Sequence, residues 1–283
     1  MPVGTGLLPF PVGTVGVPLA GVAWNRPRCR WCLLSSPPMT DITNPGPASP
    51  STPISTAPDP VATASRAASD APGFVVVTRT FYDAIAEDYA ERFRDELVAR
   101  PLERAVLTAY AELVGAGGRV ADLGCGPGRS TGFLASRGLD ISGLDLSESM
   151  LAIARRENPA IRFEQGSMLE LDFADGSLAG VVSFYSSIHT PVDELPALFA
   201  EFHRVLAPGG HLLLAFQVGD EPRHYDQPWG HPVAIDFERR RPEQMAALLT
   251  AAGFAMLSRT VREPDPGLGE STPHAFLIAR VPE

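Results

Sequence analysis

The stretch Val120-Ala121-Asp122-Leu123-Gly124-Cys125-Gly126-Pro127-Gly128-Arg129-Ser130 decides the fold of this chain. It joins a short apolar run to three alternating glycines and then to a helical pattern. At such a junction the backbone turns sharply and approaches a ligand, and glycine allows both because it lacks a Cβ atom and accepts positive φ. Asp145 follows Gly124 by 21 residues, at the end of the next strand pattern, where a carboxylate accepts hydrogen bonds from ribose hydroxyls. The combination predicts a cofactor that contains a nucleoside.

Helical and extended patterns alternate around this stretch. Phe81, Ile85, Tyr89 and Phe93 fall four residues apart, which predicts one face of a helix. We predict helices over 81–93, 102–114, 130–136, 148–157 and 194–206, and strands over 120–123, 140–144, 161–165, 178–184 and 211–216. Such alternation requires right-handed crossovers between parallel strands. We expect an open, doubly wound α/β sheet with helices on both faces and a ligand at the carboxyl ends of its strands.

The N-terminal quarter of the chain has a different composition. Residues 1–72 hold 14 of the 28 prolines, and residues 40–72 are mostly Pro, Ser, Thr, Ala and Asp. Such a tract buries too little apolar surface to offset the entropy of ordering, so we predict a disordered leader over 1–72 and one domain over 73–283. Met39 stands just before the tract, so we expect translation to start there and residues 1–38 to lie outside the natural protein. The spacing of Cys29 and Cys32 is a coincidence by this interpretation, because no second ligand pair accompanies it.

Charge and composition restrict the partners. The net charge is −10 with a pI near 5.1, which disfavours nucleic acid as a partner. All 23 basic residues are arginine, so catalysis by lysine is excluded. Three cysteines are too few for a disulfide framework and favour a cytoplasmic location. The apolar start of the chain is interrupted by proline and glycine, and we predict neither a signal peptide nor a membrane span.

The glycine spacing separates two cofactor classes. Nicotinamide-binding loops follow Gly-x-Gly-x-x-Gly, whereas this loop reads Gly124-x-Gly126-x-Gly128 with Asp122 two residues ahead. The run from Asp122 to Gly128 resembles the first motif of the class I S-adenosylmethionine-dependent methyltransferases. Residues 143–151 resemble their second motif, and residues 202–212 resemble their helix, turn and fifth strand. The likeness covers roughly residues 81–281.

This resemblance implies a Rossmann-like, seven-stranded sheet whose last strand is antiparallel. Residues 251–254 and 274–279 are similar to the parts of the family that form the sixth and seventh strands. The resemblance also implies S-adenosyl-L-methionine as cofactor, with the backbone of the glycine loop against its methionine part. The expected cofactor-binding residues are Asp122, Gly124, Cys125, Gly126, Gly128, Asp145, Leu146, Met150, Gly166, Ser167, Met168, Phe184 and Tyr89.

Individual roles follow from the family pattern. Asp122 is expected to hold the amino group and Asp145 the ribose, while Leu146 and Met150 pack on the adenine, unless Met150 is an ordinary core residue. Relatives carry a Gly-Asp pair after the third strand, whereas this chain has Gly166, Ser167 and Met168, which leaves a neutral acceptor for the adenine amino group. The helix over 81–93, with Tyr82 and Tyr89, is either a lid over the cofactor or a core-facing helix.

The acceptor side is less specific in sequence. His189 follows the fourth strand pattern and is the candidate catalytic base, because its ordinary pKa suits proton transfer near neutrality. The alternative is that His189 only hydrogen-bonds the loop around Pro191. Tyr185 is a candidate wall of the acceptor pocket. A polar and aromatic insertion over 217–232 supplies further substrate-binding candidates, namely His224, Tyr225, Trp229 and His231.

No metal is expected. The seven-residue separation of the two histidines in the insertion matches no common ligand spacing. Arg239, Arg240 and Arg241 are interpreted as a solvated helix start, since their surroundings are acidic.

These patterns favour an enzyme that methylates a small molecule, on oxygen or nitrogen. Two alternatives remain open: a nucleotide-dependent oxidoreductase on a similar sheet, and a non-catalytic protein that keeps the cofactor fold. The sequence does not identify the methyl acceptor. It also does not determine the oligomeric state, so a homodimer is one possible assembly.

Overall fold

The computed structural model describes residues 71–283. The predictions for the leader, for a start at Met39 and for Cys29 and Cys32 therefore lie outside the described residues. The helices are α1 (Gly73–Arg92), α2 (Glu96–Ala99), α3 (Pro101–Val114), α4 (Arg129–Ala135), α5 (Glu148–Glu157), α6 (Leu195–Val205) and α7 (Pro242–Ala251). The strands are β1 (Arg119–Leu123), β2 (Asp140–Asp145), β3 (Arg162–Gln165), β4 (Leu178–Phe184), β5 (Leu206–Gln217), β6 (Arg223–Asp226), β7 (Ala234–Phe237), β8 (Ala255–Arg262) and β9 (His274–Arg280).

Seven strands form one sheet in the order β3-β2-β1-β4-β5-β9-β8. The pairs among β1 to β5 are parallel, whereas β9 runs antiparallel to both β5 and β8. The prediction of a mostly parallel sheet with an antiparallel last strand is confirmed. Strand order reverses between β1 and β4, and this is the position at which open sheets of this type bind ligands.

Both faces of the sheet are covered by helices, as predicted. Along β5, Leu212 and Leu214 pack with the residues of α6 and α7, while Leu213 between them packs with those of α3 and α4. Side chains alternate between the two faces because successive residues of a strand point in opposite directions. The central strands are apolar on both faces for this reason, as buried parallel strands are.

Several boundaries differ from the sequence predictions. Helix α1 begins at Gly73, two turns before the predicted start, because small residues such as Thr78 are buried along with the large ones. Leu97 continues the spacing of four residues beyond Phe93, but it lies in the separate helix α2. The sixth strand of the sheet is β8, which begins at Ala255, directly after the residues that suggested it. The predicted insertion folds into the two-stranded hairpin β6–β7.

Within residues 71–283, no helix combines the length and the apolar character that a membrane crossing requires.

Candidate active site

The glycine loop lies at the carboxyl end of β1. Gly124 and Gly126 have φ of +72° and +53°, which side chains other than glycine rarely adopt. A Cβ atom on Gly124 would lie 2.3 Å from Cβ of Ser186, whereas one on Gly126 would meet no atom within 4 Å. Gly124 therefore serves close packing against the segment after β4. Gly126 instead keeps its backbone open to the cleft.

Asp145 is the last residue of β2 and is tied to the glycine loop. Its Oδ2 accepts the backbone N–H of Gly126 at 2.8 Å, and its Oδ1 accepts the N–H of Ser147 at 2.9 Å. Burial raises the pKa of this carboxyl to about 6, although these hydrogen bonds oppose the rise. Each carboxylate oxygen still has acceptor capacity for a ligand hydroxyl.

Asp122 lies within β1 and is completely buried. Its Oδ2 accepts hydrogen bonds from the hydroxyls of Ser130 and Thr131, both at 2.7 Å, while its Oδ1 has no partner. Burial raises the pKa of Asp122 to about 6 against the effect of the two hydroxyls. An unpartnered buried carboxylate oxygen is costly to the fold, so this atom is available to a donor that the folded protein alone does not supply.

The expected adenine contacts divide between the cleft and the core. Leu146 and Ser167 are half-buried beside the ends of β2 and β3, and Ser167 Oγ accepts the N–H of Leu169 at 3.2 Å. Gly166 donates its N–H to the carbonyl of Asp145 at 3.0 Å. Met150, on α5, is 1% exposed and packs against α1, so its side chain belongs to the core.

Three other expected cofactor residues contact neighbouring layers. The methyl carbon of Met168 lies 3.2 Å from the position of a Cβ on Gly124. Cys125 packs with Leu151 and Phe163 beside α5, so only its backbone faces the cleft. Phe184 packs on the α3 and α4 face of the sheet.

Helix α1 lies across the carboxyl ends of the strands, between α5 and the hairpin β6–β7. Its Asp83 accepts the hydroxyl of Ser147 at 2.6 Å and the N–H of Ser149 at 3.2 Å, at the start of α5. Arg129, the first residue of α4, lies 5.2 Å over the ring of Tyr89 and donates to the carbonyl of Phe93. These contacts hold α1 against α4 and α5, the helices that follow β1 and β2. The apolar face of α1 is packed, as the core-facing interpretation predicts, and its role as a lid stays a prediction.

His189 lies in a 3₁₀ turn after β4 and is 9% exposed. Its Nδ1 lies 3.3 Å from the carbonyl of Asp236, so Nδ1 carries the proton, because a carbonyl only accepts. Its Nε2 is then the acceptor for the hydroxyl of Tyr82, at 2.8 Å. Burial lowers the pKa of His189 to about 4, opposed by the bond to Asp236. The ring is therefore neutral near pH 7, and both nitrogens are engaged with α1 and β7.

Arg240 supports the segment that carries His189. It is 6% exposed, donates to the carbonyl of Thr190 at 2.9 Å and pairs with Glu238 at 2.6 Å. The expectation of a solvated arginine run is wrong for this residue, although Arg241 is exposed. Its role was invisible in the sequence because Thr190 is 50 residues away.

Comparison with known proteins agrees with this architecture. A family model described as a methyltransferase domain matches residues 120–210. Demethylmenaquinone methyltransferase of Beutenbergia cavernae is 33% identical over 133 residues, which are 46% of this chain and 55% of that protein. Trans-aconitate 2-methyltransferase of Variovorax paradoxus is 37% identical over 169 residues, 52% of this chain and 56% of that protein. Residues 120–210 therefore form a methyltransferase domain, and the sheet around them has the fold of the class I S-adenosylmethionine-dependent methyltransferases.

A solved structure extends the likeness beyond these segments. The 1,6-didemethyltoxoflavin-N1-methyltransferase of Burkholderia thailandensis is 25% identical, with a TM-score of 0.58 over 76% of this chain and 93% of that one. That structure contains 1,6-didemethyltoxoflavin and S-adenosylhomocysteine. By contrast, the chain spans about half the length of the curated relatives it matches.

The substrate-binding candidates do not gather at one place in the described structure. Tyr225 packs 4.7 Å from the ring of Phe237, close to the ring of His189. Trp229 is 40% exposed beneath Arg92 of α1, and His231 bonds Asp88 of α1 at 2.7 Å. The remaining candidates, His224 and Tyr185, point elsewhere: His224 is exposed and bonds the side chain of Asp236, and Tyr185 lies beside His274.

Tyr185 belongs to an ion-pair network that the sequence did not reveal. Its hydroxyl lies 2.7 Å from Nδ1 of His274 and 3.1 Å from Oε1 of Glu103. Arg262 pairs with Glu103 at 3.0 Å and with Glu270 at 2.5 Å. Among the described residues, Glu103, Glu270 and His274 form a group with metal-ligand spacing. Arg100 also pairs with both carboxylates, so two guanidinium groups balance the two negative charges and the arrangement is that of an ion-pair network.

Proposed function

We propose that this protein transfers a methyl group from S-adenosyl-L-methionine to a small-molecule acceptor, on oxygen or nitrogen, and releases S-adenosylhomocysteine. The observation that carries the proposal is the carboxylate of Asp145, held by two backbone N–H groups beside the open Gly126. This arrangement provides acceptors for ribose hydroxyls next to a backbone that a ligand can approach closely.

The residues present fit the cofactor. Gly126 has free space where a Cβ would stand, and Asp122 has an unpartnered oxygen suited to an ammonium group. Ser167 replaces the acidic acceptor for the adenine amino group with a neutral hydroxyl. When bound, the cofactor supplies an electrophilic methyl group on a sulfonium. The chain's own contribution is to hold the acceptor in line with that methyl, which is worth about 7–11 kcal/mol in well-positioned reactions.

We further propose His189 as the group that receives the acceptor's proton. A base must be neutral before it acts, and burial keeps His189 neutral near pH 7. Since its Nε2 accepts from Tyr82, a proton from the acceptor travels through that hydroxyl: the acceptor proton moves to Tyr82 as the Tyr82 proton moves to Nε2. Asp122, Gly126 and Asp145 would hold the cofactor, whose sulfonium would supply the methyl group to the acceptor atom that loses this proton.

The names of the relatives support a small acceptor. They describe methylation of trans-aconitate, of demethylmenaquinone and of 1,6-didemethyltoxoflavin, which are small molecules of unlike chemistry. The acidic balance of the chain supports the same class over nucleic acid. We also propose that the enzyme works in the cytoplasm, on the grounds of its few cysteines.

Calorimetric titration of the full chain with S-adenosylmethionine, S-adenosylhomocysteine and NADH tests the cofactor. We expect the first two to bind, and Asp145→Ala to weaken both by about a hundredfold, since two hydrogen bonds to a charged group are lost. Asp140→Ala, at the exposed opposite end of β2, is the matched control and leaves binding unchanged. Binding of NADH alone favours the oxidoreductase alternative. Binding of S-adenosylmethionine without release of S-adenosylhomocysteine, across a panel of small acceptors, favours the non-catalytic one.

A further inference from the structure

Five aromatic rings meet under α1, and we call them the aromatic cluster: Tyr82, Tyr89, His189, Tyr225 and Phe237. Their centroids form a continuous chain, with 5.9 Å between Tyr89 and Tyr82, 5.4 Å from Tyr82 to His189, 4.9 Å to Phe237 and 4.7 Å on to Tyr225. The four contacts are edge-to-face, an arrangement that leaves ring faces available to a further ring.

The aromatic cluster is only partly enclosed. Phe81, Ile85 and Ile235 pack behind it and are at most 6% exposed, whereas Tyr82, Tyr89, Tyr225 and Phe237 remain half-buried. Part of each of these four rings is therefore accessible to a molecule that binds beside α1 and the hairpin. Burial raises the pKa of the Tyr82 hydroxyl, and the nearby Tyr89 and the Asp145 carboxylate add to the rise, so the aromatic cluster adjoins the expected ribose-binding residue.

The polar atoms of the aromatic cluster have a set orientation. The Tyr82 hydroxyl donates to Nε2 of His189, whose Nδ1 is committed to the carbonyl of Asp236. The oxygen of Tyr82 keeps acceptor capacity, so it is suited to receive a hydrogen bond from a hydroxyl or N–H of a bound molecule. A carboxylate has no hydrogen to offer at this position.

The two arginines beside Tyr89 and His189 already pair with carboxylates. Arg129 pairs with Glu96 at 3.0 Å, and Arg240 pairs with Glu238 at 2.6 Å. Arg223 is exposed on the hairpin, where its guanidinium stacks 4.7 Å from the centroid of the Tyr225 ring. An anionic acceptor placed against Tyr82 would lose its hydration, and neither Arg129 nor Arg240 is free to replace it. A neutral aromatic molecule buries its faces against the rings at no such cost.

We propose that the acceptor is an uncharged aromatic compound whose hydroxyl or N–H group meets the oxygen of Tyr82. This inference rests on the proposed function and names the substrate class for the same site. It excludes polycarboxylates as the acceptor of this chain, even though a trans-aconitate methyltransferase is among its relatives.

Binding to the full chain saturated with S-adenosylhomocysteine tests the inference. The probes are catechol and 2-naphthol, as neutral hydroxyaromatic compounds, and trans-aconitate, as a tricarboxylate. We expect at least one neutral probe to bind about tenfold or more tightly than trans-aconitate. Tyr82→Phe weakens that binding about fivefold, the worth of one neutral hydrogen bond, and Phe237→Leu weakens it by removing a ring contact.

Tyr110→Phe is the matched control, because it also removes one tyrosine hydroxyl but on the α3 face of the sheet. We expect it to leave probe binding unchanged, and thermal melting of each variant confirms that it is folded. Neutral probes that bind no more tightly than trans-aconitate overturn the inference while bound S-adenosylhomocysteine still supports the proposed function. Equal losses from Tyr82→Phe and Tyr110→Phe also overturn it. Failure to bind S-adenosylhomocysteine at all overturns the proposed function itself.

Discussion

Two buried aspartates near the carboxyl ends of adjacent strands lower the stability of the fold when they are ionised. Asp122 and Asp145 both have pKa values raised to about 6 by burial. For such a group the ionised form weakens the fold, so its stabilising contribution is present below about pH 4 and is lost as the pH rises through about 6. Under the proposed function, we expect binding of the cofactor to Asp122 and Asp145 to offset this loss of stability.

Asp122→Asn tests this cost at the residue scale. The amide oxygen can still accept from Ser130 and Thr131, while the buried charge is removed. We expect the variant to exceed the wild type in free energy of unfolding by up to about 3 kcal/mol at pH 8, as a pKa rise of about two units implies. At pH 4.5 the difference shrinks towards zero, because the wild-type carboxyl is then protonated. Urea unfolding of the cofactor-free protein at both pH values measures it, and a less stable variant at pH 8 would contradict the interpretation.

At the scale of elements, α1 is the part of the domain that joins the two halves of the site. It contacts α5 through Asp83 and the hairpin through Phe81 and Ile85, and it places Tyr82 on His189. Phe81 and Ile85 are buried, but they pack with the hairpin and not with the central strands, so the polar bonds of Asp83 to α5 help to hold the helix in position. Elements of this kind open at lower free energy than the central strands.

Asp83→Ala tests how α1 is held. The change removes the acceptor for Ser147 and for the N–H of Ser149, each bonded at the start of α5. We expect amide hydrogen exchange in residues 73–92 to become about fivefold faster, since roughly 1 kcal/mol is lost, and binding of S-adenosylhomocysteine to weaken.

Glu87→Ala is the control on the same helix. Glu87 also bonds α5, through Arg156, but its side chain is 75% exposed and such surface pairs contribute little. Exchange measured by mass spectrometry should not change in this variant. If both variants accelerate exchange equally, α1 is held by general surface charge and not by Asp83.

At the scale of the whole molecule, the ion-pair network joins the helical start of the domain to its last strands. Arg262 of β8 reaches Glu103 of α3, and Arg100 ahead of α3 reaches Glu270 at 3.1 Å. Burial alone would raise the pKa of Glu270, but the hydrogen bond from Arg262 and other contacts lower it to about 2. Its stabilising contribution is therefore complete above about pH 4.5 and is lost as the pH falls through about 2.

Glu270→Gln tests the network. We expect the variant to lose up to about 3 kcal/mol of unfolding free energy at pH 7, because Arg262 and Arg100 each lose one carboxylate partner and share only the charge of Glu103. The difference from the wild type narrows between pH 4.5 and pH 2, where the wild-type carboxylate becomes protonated. Denaturant unfolding across this pH range measures the difference. A gap that stays constant down to pH 2.5 would show that the charge of Glu270 is not what stabilises the fold.

The local patterns of the sequence determined the helices and the parallel strands of the sheet, while the cofactor residues stay a prediction. Helix α5 and strand β4 have the predicted limits, and Asp145 meets the glycine loop as its position after β2 implied. These features are predictable because hydrophobic period and the φ of glycine act within a few residues. The number of seven strands and the antiparallel last strand followed from the family resemblance.

Only the tertiary structure decided the acceptor side. Tyr82 and His189 are 107 residues apart in sequence, and nothing around either residue indicates that the hydroxyl of Tyr82 will bond Nε2 of His189. The buried position of Arg240, the hairpin that brings Phe237 to His189 and the pairing of Glu103 with Arg262 have the same origin. Each arises where separate elements pack against one another, and the free energy of such contacts depends on distances that no local pattern of residues contains.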